Sequence, residues 1–183
     1  MNRSRLLTLF LAAGVAAACD SSPATAPTAE TALAQRGSDL PFKETYAATG
    51  TITSSAACPA GTLLVALEGG GTATHVGRYT ITNRHCLDLA TGAFTAGSFV
   101  KIAANGDQLV GSYTGAGTII VAPALPDLVG RFGVTGTLVF TGGTGRFATA
   151  TGTAEMRGTQ VTDFSETQLP TQIELDIGGT FSW

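Results

Sequence analysis

The chain has 183 residues, enough for one domain with a proper core and too few to make two domains the default. Its 24 glycines, its 13% of charged residues and its recurrent Thr and Val favour strands and tight turns over helices. The formal net charge is -3, and without Arg3 and Arg5 of an N-terminal leader it is -5, from 8 basic against 13 acidic residues; with no basic cluster elsewhere, this argues against nucleic acid as a partner.

The chain opens MNRSRLLTLFLAAGVAAAC, with basic Arg3 and Arg5 ahead of an apolar run from Leu6 to Ala18. A membrane-spanning helix needs about 20 apolar residues, so residues 1–18 read as a signal peptide. The ending VAAAC resembles the lipobox of bacterial lipoproteins, in which the cysteine becomes the lipidated first residue of the mature chain; here that residue is Cys19. Ala16 stands where that pattern usually has Leu, so cleavage of an ordinary secreted or periplasmic chain after the A-x-A run is the alternative. Lipid on Cys19 implies an exported protein in the cell envelope, with a membrane as partner through two or more acyl chains. Residues 19–39, rich in Ser, Thr, Pro and Ala, lack the apolar surface to order themselves and read as a tether. The folded domain is expected over residues 40–183.

Within that domain the dominant signal is alternation with a period of two. Strands are expected at Phe42 to Ser54, Leu63 to Ala73, the segment RYTITNRHCLDL, Ser98 to Ala103, Gln108 to Gly115, Val134 to Phe140, Arg146 to Arg157, and the chain's end. In the third, Tyr79, Ile81, Asn83, His85 and Leu87 share a face; in the last, Ile173, Leu175, Ile177, Gly179, Phe181 and Trp183 do. Asn105-Gly106 supplies the positive φ angles of a tight hairpin between two of these strands. No stretch carries a helical period over three turns. The expectation is an all-β, small antiparallel barrel of about eight strands, closed because an apolar last strand without Pro or Lys would otherwise be an aggregation-prone edge.

Three cysteines leave one unpaired in an oxidising compartment unless it has another fate. With Cys19 lipidated, Cys58 and Cys86 are either a disulfide, closing a loop of about 29 residues, or two separate buried thiols.

FTGGTGRFATATG, residues 140–152, looks at first like a phosphate cradle. A P-loop needs Lys-Ser/Thr after its last glycine and a dinucleotide site needs a helix there; Arg146-Phe147 and an alternating strand pattern follow instead, so the segment reads as a turn between antiparallel strands. The run VFTGGTGRFATATG resembles the GGTG-x-F-x-x-A-x-G signature of the barrel shared by allene oxide cyclases and dirigent proteins. Residues 72–80, 103–113 and 142–147 also resemble the TATHxGR(Y/F)T, AANGDQLxGxY and GGTGRF segments of uncharacterised exported bacterial proteins. The first resemblance implies an eight-stranded, calycin-like antiparallel barrel, and the second leads to no known activity.

His75 and His85 are the only histidines. His85 shares a face with Ile81 and Leu87, either as a hydrogen-bonded core residue or as a catalytic group. A zinc site from His75, His85, Cys58 and Cys86 is disfavoured, because alternation sends His85 and Cys86 to opposite faces and no close ligand spacing exists; no metal and no cofactor is expected. Glu68 and Glu155 form an acid–base pair if both face the lumen, and otherwise lie outside or pair with Arg78, Arg146 or Arg157 near a rim. No Ser sits in a G-x-S-x-G elbow. Two functions follow: a non-enzymatic barrel, structural or holding a small apolar ligand against residues such as Ile81, Phe140 and Trp183, or an isomerase or cyclase acting on an apolar guest in the lumen, by analogy with allene oxide cyclase.

Overall fold

The computed structural model describes residues 39–126 and 128–183. The expected leader, Cys19 and almost all of the tether lie outside the described residues. Eight strands follow in chain order: β1 (Leu40–Thr53), β2 (Leu63–Ala73), β3 (Gly77–Leu87), β4 (Ala93–Ala103), β5 (Gln108–Val121), β6 (Val129–Gly143), β7 (Thr151–Asp163) and β8 (Leu169–Ser182). Each pairs antiparallel with its chain neighbours, and β8 pairs with β1 from Leu40↔Phe181 to Ile52↔Leu169, so the sheet closes into a barrel with no free edge.

Alternation drives this arrangement. On β1, Phe42, Glu44, Tyr46, Ala48 and Ile52 are buried, while the residues between them face water; on β8 the buried set is Thr171, Ile173, Leu175, Ile177 and Phe181. An eight-stranded barrel has an interior just wide enough for side chains to fill. Glycines on the inner face of β5 make room for the largest of them: a Cβ at Gly111 would lie 2.5 Å from the Phe99 ring, and one at Gly115 would lie 2.4 Å from the Phe94 ring.

The strand bounds depart from expectation where bulges break the alternation. β4 begins at Ala93, five residues before the expected start, because an extra residue at Ala96–Gly97 shifts the inward set from Phe94 to Gly97, Phe99, Lys101 and Ala103. β5 runs on to Val121 through Gly115 and Gly117, which carry no pattern. In the turn between β4 and β5 the positive φ belongs to Gly106, at +88°, and not to Asn105.

The two ends differ. At one end, the β6–β7 connection makes a single turn of 3-10 helix at Gly145–Phe147, and β7 starts only at Thr151, not at Arg146 as expected. The connection is therefore a lid of seven residues rather than a tight turn. Gly145, with φ +56°, lets it fold inward and seats Phe147, fully buried, on Phe181 at 6.0 Å between ring centroids. Phe42, Phe140 and Phe181 stack beneath it at 4.8 to 5.7 Å, and Trp183 and His75 close the outside at 4.8 Å from each other. The Arg146 guanidinium donates to the Val76 carbonyl at 3.0 Å and faces the Asp107 carboxylate at 3.7 Å, fastening the lid to two neighbouring turns.

At the other end no such lid covers the barrel among the described residues. Cys58, in the β1–β2 loop, forms a disulfide with Cys86 on β3, the Cα atoms 5.5 Å apart. Cys86 points outward, opposite His85, and is buried under that loop. Its 28-residue separation gives the bridge about 3–4 kcal/mol of stabilisation in the chain-entropy model. The variant Cys58→Ala/Cys86→Ala is expected to lose about that much in urea unfolding, with an unchanged far-ultraviolet dichroism spectrum.

Candidate functional site

The lumen is crossed by charge. Lys101 on β4 and Glu44 on β1, both without any exposed side-chain surface, form an ion pair, and the Tyr79 hydroxyl on β3 donates to the other Glu44 oxygen. Alternation puts them there: Glu44 is in phase with Phe42 and Tyr46, and Lys101 with Phe99 and Ala103. The ammonium lies 4.9 Å from the Phe99 ring centroid and 5.3, 5.5 and 5.7 Å from those of Tyr79, Phe42 and Phe140. Burial holds the Lys101 ammonium below its ordinary range, and Glu44 opposes that shift. Burial, then the Glu44 charge, push the Tyr79 phenol far up, so it acts as a donor.

Above this layer, toward the open end, the polar groups are neutral. The Asn83 side chain donates to the Tyr46 hydroxyl at 2.8 Å, and burial pushes that phenol up to about 12. Asn83 Oδ1 is the one fully buried side-chain oxygen or nitrogen without a hydrogen-bond partner among the described residues. His85 Nδ1 is 2.9 Å from the Tyr113 hydroxyl, and burial lowers the imidazole to about 4, so the ring is neutral at pH 7. The β4 bulge positions this pair: the extra residue at Ala96–Gly97 stands opposite His85, and a Cβ at Gly97 would lie 2.7 Å from the Tyr113 ring. Nearer the mouth, Gln160 donates to Thr162 at 3.0 Å, and Thr162 meets Thr171 at 3.0 Å.

Two adjoining spaces border these groups. An internal cavity of about 30 Å³ is lined by Asn83, Tyr46, His85, Tyr113, Glu44 and Lys101 among others. A mouth pocket of about 350 Å³ is lined chiefly by Ile52, Leu87, Leu89, Phe94, Ile119, Phe132, Val134 and Phe164. His85, Phe94, Val134 and Gln160 line both, so they form the floor of one space and the roof of the other. Leu89 and Ile119 stand 55% and 68% exposed at the mouth, and Leu125, in the β5–β6 loop at the same end, is 83% exposed. Larger depressions, of about 660 and 900 Å³, are open troughs on the outer sheet surface between Thr and charged side chains.

The expected site residues are not brought together. Glu68 and Glu155 are exposed on the outer face, where Glu155 accepts from Thr137 at 3.2 Å, so no acid–base pair forms in the lumen. Their neighbours Leu67, Ala154 and Met156 hold the inward positions. Of the expected ligand contacts, Ile81 lines the small internal cavity, whereas Phe140 and Trp183 belong to the aromatic packing of the closed end and touch neither space. The central lumen leaves an apolar guest little room: about 30 Å³ holds a group no larger than one or two waters. Cys58 and Cys86 are spent on the disulfide, and His75 sits at the end opposite His85, so the four residues considered for zinc do not converge. His85 alone among the expected catalytic candidates reaches the site. Glu44, Lys101, Tyr46, Asn83, Tyr113 and Gln160 complete it.

Two outcomes follow. Removing one buried charge strands the other: Lys101→Met is expected to cost about 3–5 kcal/mol in urea unfolding, and Lys101→Met combined with Glu44→Gln to recover most of that loss. His85 titrates near 6.5 when unfolded and about 4 when folded, so between those values the unfolded chain binds the extra proton and stability falls as pH falls. This contributes a loss of roughly 2 kcal/mol from pH 7 to pH 5, which His85→Gln is expected to remove. Compared with known proteins, the chain matches no family model, no curated protein and no solved structure, so the geometry of this site carries its functional reading.

Proposed function

We propose that the domain binds a small apolar ligand in the mouth pocket, as an exported protein fixed to a membrane through lipid on Cys19. The observation that carries the binding reading is the pocket itself: about 350 Å³ lined mostly by aliphatic and aromatic side chains, with the neutral, polar His85 and Gln160 at its floor. Leu89 and Ile119 extend that apolar lining to the surface, where an uncompensated hydrophobic collar is costly unless something covers it. Binding is favoured over an isomerase or cyclase activity because the groups that reach the pocket are neutral and already hydrogen-bonded, and the one ion pair of the lumen lies below them with both charges satisfied. The export reading rests on the leader and on the disulfide, a bond characteristic of oxidising compartments.

The chain carrying Cys19→Ser, which removes the lipid acceptor and keeps every described residue, is expected to enhance the fluorescence of N-phenyl-1-naphthylamine, a neutral apolar probe. Leu89→Asp and Ile119→Asp, at exposed positions that cost little stability, are each expected to weaken that probe about tenfold, because an ionised carboxylate replaces apolar wall. Unchanged fluorescence with all three proteins is the result expected of a purely structural barrel. Processing is tested separately: mass spectrometry of the exported protein is expected to show a diacylated or triacylated Cys19 as first residue.

A further inference from the structure

We infer that the ligand of the mouth pocket is a neutral apolar molecule ending in a hydroxyl group, and that this hydroxyl enters the internal cavity and bonds the Asn83 side-chain amide. The inference rests on the mouth pocket being a binding site and adds what the ligand carries at its inner end.

Space sets the first condition. The internal cavity, about 30 Å³, accepts a group the size of one or two waters and no more of the ligand, and it adjoins the mouth pocket at His85, Phe94, Val134 and Gln160. A molecule seated in the mouth that reaches past these side chains can therefore place only its terminal group in the cavity.

Hydrogen bonding sets the second. Asn83 Oδ1 is buried without a donor, and a buried acceptor left bare is costly. Exchanging oxygen and nitrogen of that amide does not remove the deficit: the Tyr46 hydroxyl would then donate to the oxygen and leave the amide N–H bare. A hydroxyl answers both cases, since it donates and accepts. Tyr46 and the imidazole of His85 border the same cavity and offer it further partners.

Charge sets the third. A carboxylate in the cavity would find no free cation, because the Lys101 ammonium is taken by Glu44 and the His85 ring is neutral at pH 7. It would also lie beside the Glu44 carboxylate. An ammonium would lie beside Lys101, with both Glu44 oxygens already engaged by Lys101 and Tyr79. Either ion would be desolvated without compensation. The apolar walls above accept a hydrocarbon body, which completes the description of the ligand as an apolar alcohol.

The test is displacement of N-phenyl-1-naphthylamine at pH 7.5 from the Cys19→Ser chain by three probes of equal length: octan-1-ol, 1-methoxyheptane and octanoate. Octan-1-ol is expected to displace the dye at about tenfold lower concentration than the other two, the difference one satisfied hydrogen bond supports. Asn83→Leu is expected to bring the alcohol within twofold of the ether. In the unsubstituted site, where folding is not in question, the Asn83 side-chain amide resonances are expected to shift with octan-1-ol and not with 1-methoxyheptane. Dye binding with equal displacement by the three probes, as when a water alone fills the cavity, overturns this inference and leaves the pocket reading standing. An alcohol preference that survives Asn83→Leu also overturns it. Failure of the dye to bind at all overturns both.

Discussion

A lysine and a glutamate inside a barrel of this size constrain everything around them. Neither charge tolerates the interior alone, and they come from β1 and β4, strands that are not neighbours in the sheet, so the pair forms only when the cylinder is closed and in register. A slip of one residue in either strand would turn one charge outward and leave the other bare. Such a pair is weak evidence of net stability, since an apolar replacement of equal volume can do as well. What it imposes here is a single registration of the sheet. Tyr79 from β3 shares in it, which ties a third strand to the same condition.

The pair also divides the lumen. On its closed side Phe42, Phe140, Phe147 and Phe181 pack at edge-to-face and tilted angles, with the Arg146 guanidinium over Phe147 on the outside and the Lys101 ammonium against Phe42 and Phe140 on the inside. On its open side the residues become neutral and polar: Asn83, Tyr46, His85, Tyr113, Gln160 and the two threonines at the rim. With the centre filled, the space left for another molecule is at the mouth. That displacement of open space from lumen to mouth is a consequence of eight strands, inward aromatics and an ion pair competing for a narrow interior.

Much of the fold is legible in period-two alternation, and the same alternation bears on which charges enter the lumen. Phase excludes Glu68 and Glu155 from the lumen, since Val65 and Leu67 on β2, and Ala154 and Met156 on β7, take the inward positions. The same phase puts Glu44 with Phe42 and Tyr46, and Lys101 with Phe99 and Ala103; two opposite charges in inward phase are the signal of a buried pair. Phe140 and Trp183 were legible as inward, but which end of the barrel they close depends on chain direction in space and on the 3-10 lid at Gly145–Phe147. The His85–Tyr113 contact was out of reach, because it depends on a bulge at Ala96–Gly97 that resets the register between β4 and its neighbours. A bulge leaves one misplaced residue in the pattern, and alanine beside glycine hides it.

Chain direction bears on how such a site would be used. β1 begins at the closed end, where Leu40 pairs with Phe181, so attachment through the residues before Asp39 takes hold of the end opposite the mouth. The lid at the closed end is fastened by Arg146 to the turns beside it, and the open end is braced by the Cys58–Cys86 bridge at one side only. On the floor of the mouth, His85 is paired with Tyr113 and Gln160 with Thr162, an arrangement made before anything arrives, the condition under which a small ligand would lose least on binding. A neutral imidazole, held by burial and by Tyr113, fits that floor better than a titrating one: a charge appearing there near pH 7 would have no counter-ion and would unsettle the barrel it is built into.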